Sequence, residues 1–113
     1  KEVAPQAGDY KVINTAQDRF FRTDLDKILK EKGIKTLILV GWKISGSVTY
    51  TSVAAMAHGY TVVIPMDTTS AGSPYETTIG FYNVLNSGNA NLANEPMKAR
   101  AVTLTRTDLV TFQ

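Results

Sequence analysis

Two apolar runs separated by one helix-length of chain constrain this sequence most. Ile34–Val40 (IKTLILV) and Tyr60–Met66 (YTVVIPM) are nearly continuous rather than alternating. A strand with one wet face alternates apolar with polar; a strand that does not is covered on both faces, as in a parallel sheet. Between them lies a helix from about Gly46 to His58, closed by Gly59, in which Ala54, Ala55 and Ala57 permit close packing. Residues Ile44–Met66 form a run of 23 without formal charge, long enough to be tested as a membrane span. It fails, because Ser45, Ser47, Thr49, Thr51, Ser52 and His58 interrupt it and Gly59 and Pro65 punctuate it. A packed helix followed by a buried strand is the reading that remains. Pro65 cannot donate to a ladder and so marks a strand end or an edge.

The other elements follow from local signals. Tyr10–Ile13 (YKVI) reads as a short first strand. Thr23 with Asp26 three residues on reads as an N-cap and variant capping box, Leu25, Ile28 and Leu29 share one helical face, and Gly33 stops the helix. Ser73-Pro74-Tyr75-Glu76 combines Ser at the N-cap, Pro at N1 and Glu at N3, starting a helix that runs to about Asn86. A short helix broken by Pro96 is expected within Asn89–Met97, a last strand at Ala101–Thr105, and a final turn at Thr107–Val110. The order β-α-β-α-β-α-β is α/β with parallel strands. Right-handed crossovers that progress in one direction place the helices on one face. Both runs are apolar on two sides, so a preceding segment or a second chain is expected to cover the other face and complete the sheet.

Composition narrows the chemistry. The chain has 113 residues, one domain's worth, with 12 Lys+Arg against 10 Asp+Glu. A net charge of +2 gives no footprint for nucleic acid or a membrane surface, so neither is expected as a partner. Cysteine is absent and His58 is the only histidine, which removes cysteine-ligated and histidine-only metal sites and any cysteine nucleophile. No G-x-G-x-x-G follows a strand, and Gly41–Gly46 lacks the lysine of a phosphate loop, so no cofactor is expected. The start KEVAPQAGDY has no apolar core and is not read as a signal peptide; localisation stays open.

In open α/β sheets the site lies beyond the carboxyl ends of the strands. Asn14–Arg19, Gly41–Ser47 and Asp67–Ser73 fall there. Ser47 opens a helix, where backbone N–H groups favour an anion; the plainer reading is that Ser45 or Ser47 caps that helix. Asp67 at a strand end suits a metal or a base, and more often such an Asp caps the following loop. His58 lies 11 residues after Ser47, about 16 Å along one helix, beyond reach as its base. Its place before Gly59 suits a helix C-terminus. Lys43 is a weak candidate for a Ser–Lys pair.

These residues carry a resemblance. DRFFRTDLDKILKEKGIKTLILVGW followed by ISGSVTYTSVAAMAHGYTVVIPMD resembles the isochorismatase-like cysteine-hydrolase superfamily. The shared pattern places Phe20 or Phe21, Thr23 and Leu25 on a helix. It continues with Gly41 at a strand end, Thr51, Ala55, Gly59 and Tyr60 along the next helix, and Asp67 after the next strand. The resemblance covers about residues 9–70 and implies a three-layer α-β-α fold with a six-stranded parallel sheet in a homo-oligomer, of which this chain is the C-terminal part. It also implies an Asp–Lys–Cys triad for amide, ureido or vinyl-ether hydrolysis. The Asp belongs to a first strand outside this chain. The Lys position falls on Asn14, the Cys position on Ser47, and the position after the family's cis peptide on Ile44. Trp42, Lys43, Ile44, Gly46 and Asp67 become the ligand-binding candidates. Asp18-Arg19-Phe20 and Gly46-Ser47-Val48 are similar to a subset with D-K-F or D-R-F and with G-S-V or G-A-V. Three functions compete: a member that binds a small amide or carboxylate without cysteine-type turnover, a hydrolase using Ser47 with groups from elsewhere, and a scaffold without a pocket.

Overall fold

Parallel pairing organises the molecule. The structure, a computed structural model, describes residues 4–87 and 101–113. Strands β1 (Thr36–Ile38), β3 (Thr61–Pro65) and β5 (Val102–Thr105) form one parallel sheet in the order β1-β3-β5. A second parallel pair joins β2 (Gly41–Trp42) to β4 (Thr69–Ser70). Helices α1 (Leu25–Glu31), α2 (Thr49–Ala57) and α3 (Pro74–Leu85) connect them. The α/β class with parallel strands therefore holds.

Register decides the faces. Leu37, Val62 and Val102 are cross-strand partners, as are Ile64 and Leu104. This set points at α2 and α3, where Val62, Ile64 and Val102 join Ile44, Val48, Ala55, Met56, Phe81 and Val84 in the core. The alternate set, Thr36, Ile38, Val63, Thr103 and Thr105, lines an open groove with the C-terminal Leu109, Val110 and Phe112. No described helix covers that second face, so the described residues supply the sheet and one of the two expected helical layers.

Several expectations need correction. Tyr10–Ile13 is not a strand. Tyr10 and Ile13 are exposed, and the Lys32 ammonium lies 5.0 Å from the Tyr10 ring, a local contact in place of a ladder. The IKTLILV run supplies only three strand residues, and among the described residues β1 pairs with β3 alone. Ile34 and Val40 are exposed beside it. Asp24, not Thr23, is the N-cap residue of α1, without a side-chain cap. The Thr23 hydroxyl donates to the Arg19 carbonyl at 2.7 Å instead, and Asp26 is drawn to Lys30 at 2.6 Å. Local signals succeed elsewhere. Ser73 Oγ accepts from Glu76 N at 3.1 Å with Pro74 at N1. Gly33 and Gly59 follow α1 and α2 with φ of +66° and +91°, where a side chain is strained. Pro65 ends the central strand β3 rather than an edge. A final turn forms at Thr107–Leu109, and the helix expected within Asn89–Met97 lies outside the described residues. No described helix is long and apolar enough to cross a membrane.

Candidate functional site

The helix expected from Gly46 begins differently. Ile44–Val48 forms one wide π-type turn that runs into α2, and Gly46 within it departs from helical geometry at φ −139°, ψ −111°. The turn is held by Gly46 N and Val48 N donating to the Lys43 carbonyl at 3.0 and 3.2 Å, and by the Thr49 hydroxyl donating to Ile44 O. Ile44 is fully buried and α3 presses on it: a Cβ on Gly80 falls 2.8 Å from the Ile44 carbonyl carbon. Ile44 is therefore a core residue, not a ligand contact. The non-proline cis peptide is Trp42–Lys43, so Lys43, not Ile44, follows it.

This turn carries Ser47, half-buried in the wall of a cavity of about 220 Å³. Leu39, Val40 and Val48 give the cavity an apolar side, Trp42 borders it, and Arg19, Ser47 and Thr51 are its polar members. Neither Ser45 nor Ser47 caps α2 with its side chain. Ser45 Oγ instead donates to Glu76 at 3.3 Å.

Arg19 reaches the cavity because its neighbours fix the loop. Asp18 Oδ1 accepts from Phe20 N at 2.7 Å, an Asx turn. Phe20 is buried, with ring centroids 4.9 Å from His58 and 5.9 Å from Tyr60. Thr51 ties the segment to α2: its Oγ1 accepts from Arg19 N at 3.2 Å and donates to the Gln17 carbonyl at 3.1 Å. Asn14 then grips the guanidinium, its Oδ1 accepting from Arg19 Nη1 at 2.8 Å. The Asn14 amide nitrogen donates to the Asp18 and Phe21 carbonyls at 2.8 and 3.1 Å. Asn14 thus lines a separate depression with Ile13 and Phe21, and meets the Ser47 cavity only through Arg19.

The remaining candidates are spoken for. Lys43 Nζ pairs with Glu76 at 2.6 Å, which holds the Glu76 carboxyl below its ordinary range. That ammonium is not offered to Ser47. Trp42 is well exposed, and β2–β4 pairing sets it beside Ser70. Gly46 is buried in the turn. Asp67 caps a turn, but not the one after it. Its carboxylate accepts from Thr107 N at 3.0 Å and from the Thr107 hydroxyl, which lowers its pKa. His58 is the C-cap of α2, its Nδ1 3.7 Å from Asp26, at the opposite end of the helix from Ser47. Arg19 and Thr51 are the cavity residues that sequence reasoning missed, although both stand inside the motifs that carried the resemblance.

Comparison with known proteins decides the family. The isochorismatase domain profile matches residues 1–95. The chain belongs to the isochorismatase family. It is 36% identical over 62 residues to maleamate amidohydrolase of Pseudomonas putida, covering 55% of this chain and 29% of that protein. A probable inactive nicotinamidase of Arabidopsis thaliana is 30% identical over 81 residues, 71% of this chain and 41% of that one. An isochorismatase-like hydrolase structure from Alkaliphilus metalliredigens superposes with a TM-score of 0.79 at 26% identity, covering 95% of this chain and 52% of that one. The isochorismatase-family chain thus spans about half the length of these relatives or less.

Proposed function

We propose that this isochorismatase-family protein binds a small amide or carboxylate in the Ser47 cavity and does not turn it over by the family's cysteine chemistry. One observation carries the reading: the Cys position is Ser47, and no described side chain beside it serves as its base. A thiol with a pKa near 8.5 is partly ionised at neutral pH, whereas a hydroxyl needs an adjacent base. His58 faces Asp26 at the far end of α2, Lys43 is paired with Glu76, and the Asn14 amide is engaged by the loop and Arg19. General-base assistance is worth about 10²–10⁴-fold, and its loss leaves binding intact. The maleamate amidohydrolase relative supports an amide or carboxylate as the ligand class. The short coverage of the relatives favours a second reading, in which groups outside this chain activate Ser47 for C–N hydrolysis. The test assays the full-length protein and its Ser47→Ala variant on simple amides, ureido acids and isochorismate. Background hydrolysis by both is expected. Enzymatic turnover that disappears in Ser47→Ala overturns the first reading in favour of the second.

A further inference from the structure

We propose that Arg19, held by Asn14, makes the Ser47 cavity selective for carboxylates over neutral amides. The inference rests on the cavity being a binding site, as proposed above, and names which of the two ligand classes it prefers.

The lining of the cavity is electrostatically one-sided. Among the described residues it contains one guanidinium, two hydroxyls (Ser47 and Thr51) and no carboxylate. Arg19 is exposed, so its charge stands unpaired at little cost, and beside Leu39, Val40 and Val48 it offers an entering anion a guanidinium at the rim of an apolar wall. Arg19 has no carboxylate partner among the described residues. Asp18, its neighbour, directs Oδ1 to Phe20 N instead. Nη1 is taken by three oxygens: Asn14 Oδ1 at 2.8 Å, Asn14 O at 3.2 Å and Ala16 O at 3.2 Å. Nε and Nη2 have no protein acceptor among the described residues. They form one edge of the fork, and two parallel N–H donors on one edge match the two oxygens of a carboxylate.

The arrangement also explains Asn14. A lysine there would place a second cation against Arg19, whereas the amide oxygen accepts from Nη1 and the amide nitrogen anchors to Asp18 O and Phe21 O. Asn14 is therefore a positioning residue: its Oδ1 holds the guanidinium of the residue five places along the chain. The cavity of about 220 Å³ falls below the roughly 300–1,000 Å³ of drug-sized sites, so the anion is small. The apolar wall and Trp42 suit a planar or hydrocarbon remainder.

Benzoate and benzamide, equal in shape and unequal in charge, are the probes. Each is titrated calorimetrically into the full-length protein at pH 7, at low and at physiological salt. Benzoate is expected to bind at least tenfold more tightly, with a preference that shrinks as salt rises. Arg19→Gln is expected to erase the preference by weakening benzoate while leaving benzamide unchanged, and Arg19→Lys to recover part of it, since charge returns without the fork. Asn14→Ala is expected to lower the benzoate affinity less than Arg19→Gln does. Equal affinity of the wild-type protein for both probes overturns the proposal without recourse to any variant. So does failure of either probe to bind at millimolar concentration, or a benzoate affinity untouched in a folded Arg19→Gln. Amide turnover that depends on Ser47 is a separate outcome: it removes the non-catalytic reading and leaves the ratio of the two affinities to decide the role of Arg19.

Discussion

Gly80→Ala tests how the turn carrying Ser47 is held. In an exposed helix interior this change stabilises by about 1 kcal/mol, because alanine loses less backbone freedom on folding. Gly80 is not exposed. It lies in α3 against the π-type turn, and an added Cβ falls 2.8 Å from Ile44 C, 2.8 Å from Ser45 N and 2.9 Å from Ile44 Cγ2. Two of those three atoms are backbone and the third belongs to a fully buried side chain, so none swings aside. Overpacking of this kind costs about 1–3 kcal/mol, and a clash with backbone belongs near the top of that range. After subtracting the propensity gain, a net loss of about 1–2 kcal/mol remains. With a urea m-value of about 1–3 kcal/mol/M, the unfolding midpoint of the full-length protein falls by about 0.5–1.5 M. Thr78→Ala on the exposed side of α3 is the control, expected to leave the midpoint unchanged or slightly raised. A Gly80→Ala midpoint equal to or above wild type refutes the close approach of α3 to the turn. Benzoate affinity measured on the same variant is expected to fall, because the displaced turn carries Ser47.

Asp67→Asn is expected to flatten the acid limb of the stability curve. The bond from Thr107 lowers the Asp67 pKa below 3.8, so its stabilisation is present at neutral pH and lost as pH falls through the folded value. Urea midpoints between pH 5 and 2 that decline identically in wild type and variant contradict this role. Tyr60→Phe acts at the other end of the scale. Burial, then the bond to Asp26, pushes the Tyr60 hydroxyl up to about 12. A raised pKa gives stability that is complete below the unfolded value near 10 and is lost as pH rises through the folded one. Absorbance titration at 295 nm is expected to show one of this chain's five tyrosines ionising late, and Tyr60→Phe to remove that phase.

Elements specified by neighbours in sequence were legible; those specified across the fold were not. The cap at Ser73, the proline after it and the stop at Gly59 act within four residues, and each stands where the sequence put it. The extent of β1 depends on which strands flank it, and an apolar run does not reveal that β3 is its one partner among the described residues. The π-type turn at Ile44–Val48 depends on α3 pressing at Gly80, a contact between residues 36 apart. Asp67 reads locally as a loop cap, yet its partner Thr107 lies 40 residues away. The site divides the same way. Ser47 was singled out because the resemblance fixes one position per motif. Arg19 escaped because D-R-F reads as a motif for its Phe, although burying Phe20 and turning at Asp18 is what turns the residue between them toward the cavity. Thr51 was visible in the helix pattern, but its bonds to Arg19 and Gln17 cross more than 30 residues.

Ser47→Cys separates two opposing influences on that cavity. The apolar wall of Leu39, Val40 and Val48 disfavours a thiolate, while the Arg19 guanidinium favours one. Desolvation is partial, since residue 47 is half-buried and Arg19 and Trp42 are exposed. The guanidinium lines the same cavity as residue 47, and a nearby opposite charge favours the ionised form of a thiol. The cation is therefore expected to win, and the new thiol to titrate below the ordinary 8.5. The rate of its alkylation by iodoacetamide, followed against pH, reports the midpoint directly, and Arg19→Gln in the same background is expected to return it to 8.5 or above. Benzoate is expected to slow the alkylation by occupying the cavity, and benzamide to slow it less. The thiolate alone is not expected to hydrolyse amides, because the resemblance implies a lysine at the position that Asn14 occupies. Adding Asn14→Lys supplies that second group, so turnover that appears only in the double variant ties cysteine-type turnover to both positions. A midpoint at or above 8.5 in Ser47→Cys, unmoved by Arg19→Gln, refutes the electrostatic reading of the cavity, because the guanidinium would then exert no field at residue 47.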